Sequence, residues 1–196
     1  AAVAGVAPEQ VTKEQRNAAK VINFGMLYSM SADSLAATVR LQGGSMDTQQ
    51  AVAAQEAFYR EFPELARYMN AQWRLGRRKA TVHTRCGLAK PLAVKTGTGN
   101  TKSQSVNVPI QGSAGECLMS ALVRLPEALQ GLDAALVIHV HDEIVLEVAE
   151  ADAAAACKAL EAAMVQGFLD VFPEAKDQAA GLVDAKAGRS WEEARA

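Results

Sequence analysis

Four helix-start signals fall within the first sixty-three residues of this chain, at Thr12, Ser31, Asp47 and Pro63. Thr12-Lys-Glu-Gln15 has capping-box form: the Thr hydroxyl accepts from an early helical N–H while Gln reaches back. The pattern predicts a helix from about Lys13 to Tyr28. Ser31 caps a second through Arg40, which Gly43-Gly44 ends, and Asp47 caps a third to about Phe62. Pro63 suits the first position of a fourth helix ending near Lys79, because its missing N–H would have no intrahelical partner there. Residues 1–79 therefore read as an all-helical module.

The texture then changes. T-V-H-T-R-C-G-L-A-K-P-L predicts a short hairpin, and K-T-G-T-G-N-T-K (95–102) a polar, glycine-rich loop. A helix is expected from about Gln111 to Gln130, with Pro126 ending or bending it. Ala135 to Val148 reads as a strand pair, Ala151 to Phe172 as a long Ala-rich helix, and Gly181 to Ala187 as a last short strand before a tail containing Trp191. No internal repeat is present. The expected fold class is α+β, with residues 80–196 forming a small antiparallel sheet flanked by helices.

A hydrophobic share of 49% and a charged share of 21% are those of a soluble globular protein. No apolar run approaches the roughly 18 to 20 residues a membrane span requires, and no signal-peptide pattern opens the chain, so no membrane partner is expected. The first residues, A-A-V-A-G-V-A, lack Met and read as the inside of a longer protein. Cys86, Cys117 and Cys157 are scattered, which argues for reduced thiols in the cytoplasm and against a zinc ribbon or a disulfide framework. Charge is unevenly placed. Residues 60–102 hold ten Lys and Arg against two Asp and Glu, whereas residues 103–196 hold six against fifteen. Such a basic block is the footprint of an anionic polymer or simply a solvated helix face; charge alone leaves both open.

Two stretches carry candidate chemistry. In R-N-A-A-K-V-I-N-F-G-M-L-Y, Arg16, Lys20, Phe24 and Tyr28 recur every four residues, so the first three share a helical stripe with Tyr28 at its winding edge. Two cations and an aromatic ring so placed can hold phosphates and stack on a base, but the rings could equally be core. In H-V-H-D-E-I-V-L-E-V, alternation brings His139 and His141 to one strand face beside Asp142. That arrangement admits a zinc- or manganese-dependent hydrolase using His139, His141 and Asp142, with His83 as the remaining histidine.

Taken in order, these segments resemble family A DNA polymerases, the bacterial DNA polymerase I class. R-x-x-x-K-x-x-x-F-x-x-x-Y, with Asn23 and Gly25 flanking the Phe, is similar to that family's nucleotide-binding helix. V-N-V-P-I-Q-G-S-A-G-E (106–116) resembles its N-x-P-x-Q-G-[ST]-A-x-[DE] segment, H-V-H-D-E its V-H-D-E hairpin, and A-G-R-S-W its terminal G-x-x-W.

The resemblance implies helical fingers followed by the C-terminal part of a palm. Arg16 and Lys20 would contact the triphosphate of an incoming dNTP, Phe24 would pack on its sugar or base, and Tyr28 would sit beside the templating position with Ser29. Asn107 and Gln111 would contact primer and template, His141 the primer terminus. Asp142 would be one of the two carboxylates that hold a two-metal Mg2+ site, with Glu143 in a supporting catalytic role, and His139 would be a strand residue. Arg74, Arg77, Arg78, Lys79, Arg85, Lys90, Lys95 and Lys102 are candidates for neutralising duplex phosphates. The implied setting is a bacterial or phage cytoplasm, close to the nucleoid.

The match also departs from the family. No D-Y-S stretch, which would carry the second metal-binding Asp, occurs in the chain. The expected partners therefore include the rest of a polymerase, thumb and upstream palm strand, besides primer-template DNA. A chain of these residues alone is expected to be inactive, and a non-catalytic DNA-binding remnant is the remaining alternative. Ser29 stands where the family usually has Gly. G-L-A-K (87–90) and Ser103 replace expected basic residues, which suggests a divergent branch with a weaker local grip on the duplex.

Overall fold

The computed structural model describes residues 7–79, 81–92 and 100–195. It divides into two compact units. One takes residues up to His83 together with Ala89–Pro109; the other takes Thr84–Leu88 and residues from Ile110 onward.

The first unit is built on α1 (Lys13–Leu27), α2 (Ala32–Leu41), α3 (Thr48–Glu61) and α4 (Pro63–Lys79). The caps of α2 and α3 are those the sequence predicts. Ser31 Oγ accepts from the Ser34 N–H (3.2 Å). Asp47 and Gln50 form a reciprocal capping box, with bonds of 2.7 and 2.9 Å. Gly43, at φ 83°, turns the chain so that the Gly44 N–H bonds back to the Val39 carbonyl (3.0 Å), which stops α2. The Gln15 half of the Thr12 box lies outside the described side chains.

The core of this unit joins Ile22 and Met26 of α1 to Leu35, Ala36 and Val39 of α2 and Ala51 of α3. Gly25 permits the close α1–α2 approach, since a Cβ there would lie 3.0 Å from Leu35 Cδ1. Strands β1 (Thr81–His83) and β2 (Ala89–Pro91) pair antiparallel, as expected for the short hairpin.

Helix α5 (Asn100–Ala128) corrects the sequence reading. It starts eleven residues before Gln111, passes through Pro109, and holds Pro126 within its last turn. Of the expected glycine-rich loop, residues 95–99 lie outside the described residues, while Asn100, Thr101 and Lys102 are helical. Packing explains the extra turns. Ser105 and Val106 are buried, the Tyr68 hydroxyl donates to the Val106 carbonyl (3.0 Å), and α4 approaches so closely that a Cβ on Gly76 would lie 2.7 Å from Ser105 Cβ. These contacts outweigh one missing backbone donor.

In the second unit, β3 (Ala134–Val140) and β4 (Glu143–Val148) form an antiparallel hairpin with a bulge between Leu136 and Ile138. Helix α6 (Ala153–Val171) and the C-terminal half of α5 bury Ala121, Leu125, Leu129, Ala156 and Ala163 together with Ile144 of β4. Gly167 marks the closest helix contact: a Cβ there would meet the Cys117 carbonyl oxygen at 2.5 Å and the Ala121 nitrogen at 2.7 Å. The strand expected over 181–187 is not formed. That segment has no regular structure, and the Ala185 N–H donates to Glu161 Oε1 of α6 (3.1 Å) rather than to a neighbouring strand. A five-residue helix, α7 (Trp191–Arg195), closes the described chain. No helix among the described residues is long and apolar enough to cross a membrane.

Candidate nucleotide and metal sites

The α1 candidates lie in the first unit and the β3–β4 candidates in the second. In the first, Ile22 and Met26 turn the apolar side of α1 inward, and Arg16, Lys20 and Phe24 lie exposed. Phe24 is 57% exposed and Tyr28, just past the helix end, 41%, so these rings are not part of the core that this chain forms. Lys20, Phe24, Gly25, Tyr28, Thr38 and Gln42 border an open cavity of about 420 Å3. Neither Arg16 nor Lys20 is paired with a carboxylate of a described residue. Lys20 and an exposed ring beside a cavity, with Arg16 one helical turn away on α1, suit an anionic, planar ligand.

Ser29 has φ 55° and is the residue at which α1 stops. The Met30 N–H bonds back across it to the Gly25 carbonyl (2.8 Å). That left-handed position favours glycine, the residue the family resemblance called for. Its hydroxyl is buried without a hydrogen-bond partner among the described residues.

Asn107 lies half-buried on α5, its amide donating to the Ser103 carbonyl (3.0 Å). Gln111, one helical turn further on, is exposed. Glu116, at the end of the same motif, has a role that motif reading did not reveal. It accepts from the Thr84 hydroxyl and, at 3.0 Å, from the Cys86 N–H, while Ser113 Oγ accepts from the Arg85 N–H (2.8 Å). Burial works to raise the Glu116 carboxyl, and these hydrogen bonds outweigh it, holding the group below its ordinary value. The motif's acid thus clamps the 84–88 turn to α5. The charge pattern offered no signal for this, because the partners are a hydroxyl and a backbone amide.

His141 and Asp142 form the two-residue turn between β3 and β4, closed by the Val140–Glu143 pair. His141 takes φ 57° there. This overturns the zinc-hydrolase arrangement. The left-handed turn takes His141 out of strand alternation with His139, and no group of three His, Cys, Asp or Glu among the described residues is placed to hold a metal ion. His139 itself is an exposed residue of β3.

Asp142 is exposed and its carboxylate makes no hydrogen bond or ion pair among the described residues. A single open carboxylate fits Mg2+, which keeps several waters and takes one or two carboxylates plus substrate oxygens. Glu143 differs sharply. Its Oε1 accepts from Trp191 Nε1 (2.5 Å), and Arg195 Nη2 lies 3.5 Å from its Oε2. The G-x-x-W resemblance pointed to Trp191, but nothing in the sequence indicated its partner.

Among the basic candidates, Arg74, Arg77, Arg78 and Lys90 are exposed, and Lys102 is half-buried. Arg85 is already paired with Glu174 (2.7 Å), so a phosphate would have to displace that carboxylate. Lys95 and the Lys79 side chain lie outside the described residues.

The arrangement is a helix bearing exposed cations and rings and a carboxylate hairpin on an α+β frame, and comparison with known proteins gives the chain its family. The sequence profile of DNA polymerase family A matches residues 1–193, and the chain belongs to that family. It is 35% identical over 168 residues to the thermostable DNA polymerase I of Thermus thermophilus, covering 83% of this chain and 20% of that protein. Against DNA polymerase I of Pseudomonas aeruginosa it is 31% identical over 209 residues, covering 99% of this chain and 21% of the relative. The chain thus spans about a fifth of the length of these relatives. Its fold is similar to the polymerase domain of Pol1 from M. smegmatis, solved in complex with DNA primer-template and dNTP. The TM-score is 0.74 at 24% identity, covering 83% of this chain and 29% of that one.

Proposed function

We propose that this chain is the fingers and C-terminal palm portion of a DNA-directed DNA polymerase. Arg16 and Lys20 grip the triphosphate of the incoming dNTP, and Phe24 and Tyr28 pack against its sugar, its base and the templating position beside Ser29. Asn107, Gln111 and His141 contact primer and template, and Asp142 is one of the two carboxylates that hold magnesium. The observation that carries this reading is the exposure of Phe24 and Tyr28 beside Lys20 on the side of α1 turned away from the core. Exposed rings grouped beside a cation and a cavity suit a ligand-binding surface.

Cations fixed on a rigid helix stabilise the charge that develops on the pyrophosphate leaving group without reorganising. Bound magnesium supplies charge neutralisation and activation of the primer hydroxyl, and two-ion sites of this kind need carboxylates from two places. Asp142 provides one. The 196 residues contain no D-Y-S stretch to provide the other, so this chain by itself does not extend primers.

Equilibrium binding of dNTP to the purified chain tests the nucleotide half of the proposal. Lys20→Ala is expected to weaken binding about tenfold or more, the scale of a charge-assisted hydrogen bond. Unchanged binding in both Lys20→Ala and Arg16→Ala would remove the assignment. Primer extension by the unaltered chain would remove the claim that it is inactive alone.

A further inference from the structure

The two neighbouring acids of the β3–β4 turn are in opposite states. Asp142 is exposed and uncommitted, whereas both oxygens of Glu143 face donors from α7. An indole N–H only donates, and a guanidinium only donates, so neither group can release Glu143 by changing its own role. The Arg195 guanidinium also lies 5.4 Å from the centre of the Trp191 ring, which ties the two donors together.

We propose that Trp191 and Arg195 are positioning residues that act through Glu143 to hold Asp142 where it meets magnesium. Glu143 is then a structural anchor and not a metal ligand. This rests on the reading of Asp142 as a metal-binding carboxylate.

The geometry supports the proposal in three ways. Glu143 is the first residue of β4 and pairs with Val140 across the turn, so fixing its side chain fixes the base on which Asp142 stands. The turn needs such an anchor, because His141 adopts a left-handed φ of 57° that non-glycine residues enter only at a cost. Lastly, α7 is itself held. Ser190 Oγ accepts from the Glu193 N–H (3.2 Å), the Arg189 N–H donates to Glu193 Oε2 (2.8 Å), and the Ala185 N–H reaches Glu161 on α6 (3.1 Å). A continuous series of contacts therefore runs from α6 through residues 185–195 to Glu143. Groups of this kind, one step removed from a metal, commonly set the orientation of the ligand that touches it.

The test uses the 196-residue chain, with Mn2+ as the probe, and two readouts: broadening of the His141 ring-proton resonances by Mn2+, and 15N relaxation of His141, Asp142 and Glu143. Trp191→Phe keeps an aromatic ring and removes only the donor. It is expected to weaken Mn2+ binding at least threefold and to lower the backbone order of residues 141–143. If Glu143 were a ligand that α7 sequesters, freeing it would tighten Mn2+ binding instead, and that result overturns the proposal. Glu143→Gln retains an acceptor for Trp191 and is expected to bind Mn2+ within about threefold of the unaltered chain; a loss of tenfold or more also overturns it. Thermal melts confirm that each variant is folded, and Arg195→Gln serves as a second donor variant should Trp191→Phe fail to fold. Asp142→Asn separates the two claims. If it leaves Mn2+ broadening intact, the metal assignment of Asp142 fails, and relaxation of the Trp191→Phe turn still decides whether α7 positions residues 141–143.

Discussion

Trp191 donates its indole N–H to Glu143 Oε1 at 2.5 Å, joining residues 48 positions apart. The bond closes α7 onto the carboxylate hairpin, and its acceptor is charged. Hydrogen bonds to charged groups contribute about 1.5 to 3 kcal/mol when buried. The Glu143 side chain is 31% exposed, which discounts that range. Trp191→Phe is therefore expected to lower unfolding free energy by about 1 kcal/mol, read from urea denaturation followed by far-ultraviolet circular dichroism.

Ser29 should be improvable. A non-glycine residue at left-handed φ costs about 1 to 2 kcal/mol, and glycine returns roughly 0.5 to 1 of that as lost chain entropy. The hydroxyl, buried without a partner among the described residues, adds to the gain. Ser29→Gly is expected to stabilise the fold by about 1 kcal/mol, whereas Ser29→Val should destabilise it, both seen as shifts in Tm.

Gly167 allows no such freedom. An added Cβ would strike backbone atoms of α5 at Cys117 and Ala121, which cannot rotate aside. Gly167→Ala is expected to cost about 1 to 3 kcal/mol by forcing α5 and α6 apart, despite alanine's better helix propensity. A stability equal to or above that of the unaltered chain in urea would contradict the close packing.

Asp170 gives the fold a defined acid limb. Hydrogen bonds from Ser120, Arg124 and Gln166 hold its carboxyl at about 2, below the ordinary 3.8, so the folded state binds this proton less readily than the unfolded state. The sign follows from linkage: the stabilisation is complete above the ordinary value and is lost as pH falls from about 4 towards 2. Asp170→Asn should flatten the stability profile across that window and leave its shape near neutrality unchanged. Urea midpoints at a series of pH values provide the check.

Duplex binding by the exposed cations should be sequence-independent and salt-sensitive. Lys90→Ala is expected to weaken binding of the chain to primer-template DNA and to reduce the slope of log affinity against log salt by about 1. An unchanged slope in a titration between low and moderate salt would take Lys90 out of the interface.

Much of the first unit was legible because its signals are local. Ser31, Asp47 with Gln50, Gly43 and Pro63 each act within one helical turn, and no distant residue is needed to read them. The stripe from Arg16 to Tyr28 was legible for the same reason, but not whether its rings were core or surface. That depended on Leu35 and Ala36 arriving from α2 to cover Ile22 and Met26 instead.

The readings that failed were local ones overruled by distant partners. Pro109 and the polar residues before it argue against helix, yet α4 packs on Ser105 and Val106 and carries α5 back to Asn100. The apolar run after Gly181 argues for a strand, yet Glu161 takes the Ala185 N–H and no neighbouring strand is formed. His139 and His141 alternate in sequence, but the φ of His141 breaks the alternation in space.

By itself, then, the sequence determined the boundaries of α1 to α4, the family, and the candidate residues that could bind nucleotide or metal. Only the tertiary structure decided which acid of the Asp142-Glu143 pair stays open. Both are carboxylates, adjacent in sequence at one turn, and what separates them is a donor brought from residue 191 by the packing of the C-terminal segment on α6.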